Sequence, residues 1–267
     1  MIAQQWFSHA LEAEALEEVE NTLKFRDQME DYYVQFEEKK RRPDLLGKTV
    51  KITKNQFPDI YSIASKISEQ ISAPIPEMFV YEDFYYAMDS KGIGHPWIEI
   101  SASLLNDFTR KEVEFMLARE MCKLQFKHTH YKTLIDESLV MLTKGYIPFS
   151  DGVIEDIAKV SFYRWNRLAN YSADCFGYLV CNDIEAAVKA VIKCVLNSEF
   201  LADKINVFEY VKQAEEINAL NDQVYEFTKN DEQFPYGPFR VKYLMAYASS
   251  ERAITARKLI KDREEMK

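Results

Sequence analysis

The chain has 267 residues, of which 47% are apolar and 13% aromatic, enough to bury a substantial core and to exclude global disorder. Its formal net charge of −9 disfavours nucleic acid as a partner, because an acidic surface repels phosphate backbones. No run of about 18 apolar residues occurs, so we expect no membrane-spanning helix.

Residues 3–41 are predicted to form one long amphipathic helix, because apolar residues recur at four-residue steps between Glu and Lys residues. Pro43 is expected to end this helix, since proline disfavours helical geometry in the residue before it. We therefore divide the chain into an N-terminal helical extension, residues 1–43, and a larger domain, residues 44–267. The extension could pack on its own domain, pair with a second copy of the chain or occupy a groove of a partner.

The N-terminus carries acidic residues where a signal peptide needs a basic flank, and the four cysteines show no CxxC spacing. Both features are typical of a protein whose thiols stay reduced. We therefore expect a cytoplasmic location.

A short strand is predicted at residues 49–53, and a helix is predicted from Asp59 to Ile71 with Pro58 at its first turn. Further strands are expected at residues 76–81, around 85–88 and at 97–100. After Ser103 almost all of the chain is predicted to be helical, in segments 109–127, 152–181, 183–196, 206–217, 237–247 and 250–265. A small sheet followed by many helices, with only 7 Gly residues, predicts a helix-dominated α+β fold.

The predicted helix 109–127 contains the pentapeptide Arg119-Glu120-Met121-Cys122-Lys123. In zinc peptidases with an HExxH motif, two histidines four residues apart bind the metal, and the glutamate is the general base for a zinc-bound water. Only Glu120 matches this pattern, so the pentapeptide by itself does not indicate a zinc peptidase.

The segments around the pentapeptide add weight, because several of them match one family in the correct order. The lead-in residues 109–118 resemble the stretch that precedes HExxH, and residues 170–174 resemble the E-x-x-A-D segment that supplies a third zinc ligand. The remaining resemblances lie in residues 50–53, 57–61, 76–80, 86–88, 97–105 and 234–244. From about residue 48 to 245 the chain resembles zinc metallopeptidases of the HtpX and CAAX-prenyl-protease type, which implies a zincin-like domain with an active-site-type helix.

The resemblance places Arg119 and Lys123 at the two histidine positions, Asn170 at the third-ligand position and Glu120 at the general-base position. Two cations repel a divalent metal, so we expect neither a metal nor another cofactor there. Asp174 takes the position of a family residue that lies near the first zinc ligand and supports it. We therefore expect an Arg119–Asp174 ion pair, with Glu120 beside Lys123, to link two helices in place of the metal.

These residues predict a catalytically inactive pseudopeptidase of the HtpX-like type that binds a protein or peptide partner. An edge strand near Trp97–Ser101 would accept an extended peptide by strand addition. Three alternatives stay open, and with them whether the protein is an enzyme. Glu120 could perform metal-free acid–base chemistry, Arg119 and Lys123 could bind a carboxylate or phosphate, or an active metallopeptidase could use ligands not identified by the motif. A metal site at His128 and His130 with Cys122 is less favoured, because a polar helix end explains both histidines.

Overall fold

The computed structural model describes residues 2–23, 26–143, 152–220 and 232–265, without the side chains of residues 141–143, 152–158 and 263–265. A 3-10 turn at Gln4–Trp6 precedes helix α1, Glu12–Thr22. Helix α2, Arg26–Tyr32, continues through a π-helical segment, Tyr33–Glu37, into helix α3, Glu38–Lys48.

The prediction of one helix over residues 3–41 is wrong, because tertiary burial overrides the local periodicity. Phe7 is fully buried and packs edge-to-face against Phe126 and Phe176, and the chain leaves the first turn to reach this core. Helix α1 ends at Thr22, and the next residue, Leu23, has a buried side chain and a backbone that is no longer helical.

Pro43 does not end a helix, contrary to the prediction, but lies inside α3. Its ring is exposed, so the carbonyl that loses a partner can bond to water. Contacts on both sides hold the helix past the proline: Arg42 forms an ion pair with Glu77, and Leu45 packs in a small core cluster. The division at residue 43 stays a prediction, and that residue falls within a helix.

The sheet has four strands: β1 Val50–Lys51, β2 Glu77–Tyr81, β3 Met88–Lys91 and β4 Trp97–Ser101. Their order is β1–β2–β4–β3, with β2 and β4 parallel and the other two pairs antiparallel. The strand predicted around residues 85–88 therefore begins only at Met88, the last residue of the predicted range.

The prediction that Trp97–Ser101 is an edge strand is wrong, because β4 lies between β2 and β3. The loop after β3 reverses the chain at Gly92, whose φ of 93° favours glycine, and this reversal lays β3 along the outer side of β4. Strand β3 is thus the edge that faces the helices.

The helices of the larger region confirm a helix-dominated α+β fold. They are α4 Pro58–Ile71, α5 Ala102–Asp107, α6 Arg110–Gln125, α7 His128–Thr143, α8 Gly152–Cys181, α9 Ile184–Leu196, α10 Glu199–Ala202, α11 Val207–Ala219, α12 Gly237–Ala248 and α13 Glu251–Glu265. Helix α6 is the centre of the fold, since every residue from Glu112 to Cys122 is buried. Within the described ranges, no helix is long and apolar enough to cross a membrane.

Candidate functional site

A capping box fixes the start of α6. The backbone N–H of Thr109 donates to the carboxylate of Glu112 at 2.6 Å, and the Thr109 hydroxyl accepts from the Glu112 N–H at 3.3 Å. The buried ammonium of Lys193 also donates to Glu112 at 3.0 Å. These contacts anchor the helix, so Arg119 faces α8 while Glu120 faces β3.

Helix α6 lies very close to α8 at Gly177. A Cβ added at this glycine would lie 2.8 Å from Cγ of Arg119 and 2.8 Å from a ring carbon of Phe115. Only a residue without a side chain fits this approach. The absence of a side chain at Gly177 therefore lets the stem of Arg119 lie flat between the two helices.

The predicted ion pair between Arg119 and Asp174 is present. Nε of Arg119 lies 2.5 Å from Oδ1 of Asp174, and the two side chains are 6% and 0% exposed. Arg240, on α12, donates to the same carboxylate from Nε and Nη2, both at 2.9 Å. One buried carboxylate thus joins three helices, α6, α8 and α12, through charge-assisted hydrogen bonds.

Asn170 belongs to the same cluster. Its side-chain oxygen accepts a hydrogen bond from Nη2 of Arg119 at 3.3 Å, and its amide nitrogen donates to the carbonyl of Asn166 at 2.8 Å. Asn170, one turn before Asp174 on α8, therefore accepts a further hydrogen bond from the Arg119 guanidinium.

Glu120 is 1% exposed, and both of its oxygens are occupied. Oε1 accepts from the ammonium of Lys123 at 2.8 Å and lies 3.7 Å from Nη1 of Arg119. Oε2 accepts from the backbone N–H of Ser90 at 2.9 Å and from its hydroxyl at 2.8 Å. Since Ser90 lies on β3, the Glu120 carboxylate ties the central helix to the edge strand.

Both carboxylates are charged at neutral pH. Burial alone raises the pKa of Glu120, but Lys123 and Arg119 lower it more, so it lies below the usual glutamate value. Burial likewise raises the pKa of Asp174, and the charges of Arg240 and Arg119 bring it below the usual aspartate value. Three cations thus surround two carboxylates in one connected cluster, here called the ion cluster: Arg119, Lys123 and Arg240 with Glu120 and Asp174.

All five residues that the sequence singled out, Arg119, Glu120, Lys123, Asn170 and Asp174, lie in this one connected set of contacts. Two further members were not predicted. Arg240 stands in the last segment of the family resemblance, so a cation near Asp174 could have been inferred from it. Ser90 has no sequence signal, because its role depends on the position of β3.

The donor set at this place does not fit a zinc ion. Zinc needs imidazole, thiolate or carboxylate ligands with free lone pairs. Here the lone pairs of Asp174 and Glu120 accept from cations or from Ser90, and Arg119 and Lys123 offer only positive charge. Across the described part of the chain, no group of three His, Cys, Asp or Glu side chains is arranged to hold a metal ion.

The two neighbouring histidines point to different sides of α7. Nε2 of His128 lies 2.7 Å from Glu12 on α1, and Nε2 of His130 lies 3.3 Å from Glu30 on α2. His128 therefore lies against α1 and His130 against α2, and the two rings do not share a site. Cys122 is fully buried, where burial raises the pKa of its thiol well above the ordinary value.

Comparison with known proteins gives one distant relationship. The chain is 24% identical over 174 residues to the plastoglobule-localized metallopeptidase 48, chloroplastic, of Arabidopsis thaliana. The match covers 63% of this chain, and the chain spans about half (49%) of the length of that relative. No protein-family model matches the chain, and no solved structure matches it significantly. The chain is thus distantly related to a protein that is named as a metallopeptidase.

Proposed function

We propose that this protein is a pseudopeptidase, a metallopeptidase-like domain of the HtpX type in which the ion cluster stands in place of the catalytic metal. In this proposal Arg119, Lys123 and Asn170 occupy the three former ligand positions. The protein would then act by binding a protein or peptide partner instead of cleaving it.

The observation that carries the proposal is the state of Glu120. A general base must reach the proton that it takes, directly or through one water molecule. Glu120 is 1% exposed and shares its oxygens among Lys123, Arg119 and Ser90, so no peptide or water can approach it without breaking these bonds. The same saturation argues against metal-free acid–base chemistry at Glu120.

The ion cluster also argues against an anion site at Arg119 and Lys123. Each cation already has a carboxylate within 2.8 Å, and both side chains are largely buried. An external carboxylate or phosphate would have to displace Asp174 or Glu120 and then bury its own charge. A link between helices therefore explains the two cations better than ligand binding.

Strand addition at β3, the edge strand beside β4, is not supported as the mode of partner binding. The outward N–H of Ser90 on β3 is used by Glu120, and its hydroxyl also contacts Thr129 on α7 at 2.6 Å. A partner would then bind to another face of the domain. Phe84, Phe200 and Phe208, which are highly exposed aromatic side chains, are where we expect such contacts.

Metal analysis of the purified protein tests the proposal. We expect no stoichiometric zinc in the wild-type chain and no chelator-sensitive hydrolysis of a protein substrate. One tightly bound zinc per chain, or a chelator-sensitive activity that Glu120→Gln abolishes, would overturn it.

A gain-of-metal variant tests the assignment of the ligand positions. The triple change Arg119→His, Lys123→His and Asn170→Glu should create a zinc site, because it supplies two imidazoles and a carboxylate at the inferred positions. The matched control carries the two histidines without Asn170→Glu and should bind zinc more weakly. If the folded triple variant binds no more zinc than wild type, the inferred alignment is wrong.

A further inference from the structure

A cavity of about 460 Å³ lies away from the ion cluster, between α4, the start of α6, the end of α8 and α13. Five basic side chains line it: Lys66, Lys111, Arg257, Lys258 and Lys261. The lining includes no Asp or Glu among the described residues. Such a concentration of positive charge is unexpected in a chain with a net charge of −9.

Several of these cations are held in place by protein groups. Lys66 and Lys111 both contact the nearly buried carboxylate of Glu114, at 3.1 and 2.8 Å. Lys111 also donates to the carbonyl of Cys181 at 2.8 Å. A single carboxylate therefore orients two lysines but balances only one of them.

Arg257 is also fixed. Its Nη1 donates to the hydroxyl of Tyr178 at 2.6 Å, while its buried Nε has no hydrogen-bond partner among the described residues. A buried donor without a partner costs free energy unless a water molecule or a ligand accepts from it. The arginine thus adds a directional donor to the charge of the lysines.

Four apolar side chains, Leu179, Val180, Ile254 and Ile260, and two amides, Gln70 and Asn182, form the rest of the wall. A ligand that fits both parts carries a phosphate group on an organic portion. We propose that this cavity binds such a phosphate group, carried either by a small phosphomonoester or by a lipid headgroup. Arg and Lys are the side chains that bind phosphate in proteins, the first through directed hydrogen bonds and the second as a point charge.

The cavity is independent of the pseudopeptidase proposal. Lys111 and Arg119 are eight residues apart on α6, which places them about 12 Å apart along its axis. A phosphate site at Lys111 therefore needs neither a metal nor the loss of one at Arg119.

The test uses the full chain and two probes. Phenyl phosphate is titrated into labelled protein and followed by amide NMR shifts, with phenol as the uncharged control. Vesicles of phosphatidylcholine with and without phosphatidic acid are used in a flotation assay. We expect phenyl phosphate to bind with a dissociation constant on the order of 1 mM and to shift amides around Asn182 and Ile254.

The test variant is Lys258→Glu, because Lys258 lines the cavity on the exposed side of α13. Reversing its charge about 6 Å from a phosphate should weaken binding about tenfold. The matched control is Lys40→Glu on α3, a lysine with a side chain that is 76% exposed and outside the cavity. It makes the same change in net charge and should leave binding unaltered.

The two probes separate the sources of the phosphate. Binding of phenyl phosphate alone identifies a soluble phosphomonoester, and flotation only with phosphatidic acid identifies a lipid headgroup, provided that Lys258→Glu weakens the interaction and Lys40→Glu does not. Binding of neither probe, equal binding of phenol, or equal weakening by both variants overturns the proposal.

Discussion

Asp174→Asn removes the negative charge that Arg119 and Arg240 share, while it keeps the size of the side chain. Asp174 is 0% exposed, and it accepts three hydrogen bonds from the two guanidinium groups. The variant leaves two arginines without their shared anion, one of them nearly buried. Removing one partner from a buried ion pair costs about 3–5 kcal/mol.

We expect this loss in the free energy of unfolding to appear in urea denaturation followed by circular dichroism. In thermal denaturation, the melting temperature should fall by roughly 6–20 °C. The control is Asp44→Asn on α3, which breaks the pair with Lys48, where both side chains are more than two-thirds exposed. Exposed ion pairs contribute little to stability, so this variant should unfold at the same urea concentration as wild type. A loss below about 1 kcal/mol for Asp174→Asn would refute the claim that this carboxylate holds the three helices together.

A combined variant separates the charge from the packing. Arg119→Met, Asp174→Leu and Arg240→Met replace the buried charges with apolar side chains, and such replacements are often neutral or stabilising. We expect the triple variant to be more stable than Asp174→Asn alone. If it is equally unstable, the cost of the single change comes from altered packing and not from the uncompensated arginines.

Three further predictions use the same denaturation assay. Gly177→Ala should destabilise the protein by about 1–3 kcal/mol, because the added methyl group meets the stem of Arg119. In the control Gly47→Ala the methyl group meets nothing within 4 Å, so this variant should be neutral or stabilise its helix by up to about 1 kcal/mol. Lys193→Met should cost about 3–5 kcal/mol, since it leaves a buried carboxylate without its cation, and a cost below about 1 kcal/mol would contradict this. The pKa of Glu120 is lowered from 4.5 in the folded state, so its charge stabilises the fold fully above pH 4.5, and this stabilisation is lost as the pH falls through the lowered pKa. Between pH 5 and strongly acidic pH, the wild type should therefore lose more free energy of unfolding than Glu120→Gln.

The sequence predicted best those features that depend on local pattern or on one helix. Helix α4 begins at Pro58 as expected, and α6 and α8 lie within a few residues of their predicted bounds. Two cations four residues apart on a buried helix need an anion, and the family resemblance indicated Asp174 as that anion.

The features that the sequence could not predict depend on tertiary contacts. Pro43 is tolerated inside a helix because Arg42 and Leu45 are held by the sheet. The interior position of β4 follows from a reversal at Gly92 that no periodicity reveals. Ser90 enters the site only because that reversal makes β3 the edge that faces α6.

The ion cluster and a catalytic zinc site meet the same structural need in different ways. Under the proposed function, both link a central helix to a second helix through opposite charges. A catalytic zinc ion keeps one coordination position open for water, whereas Asp174 and Glu120 have their oxygens directed at fixed donors. The contacts that make the cluster stable are thus the same contacts that leave Glu120 no access to a substrate. Under the proposed function, loss of peptidase chemistry and gain of a permanent link between α6, α8, α12 and β3 are one structural change.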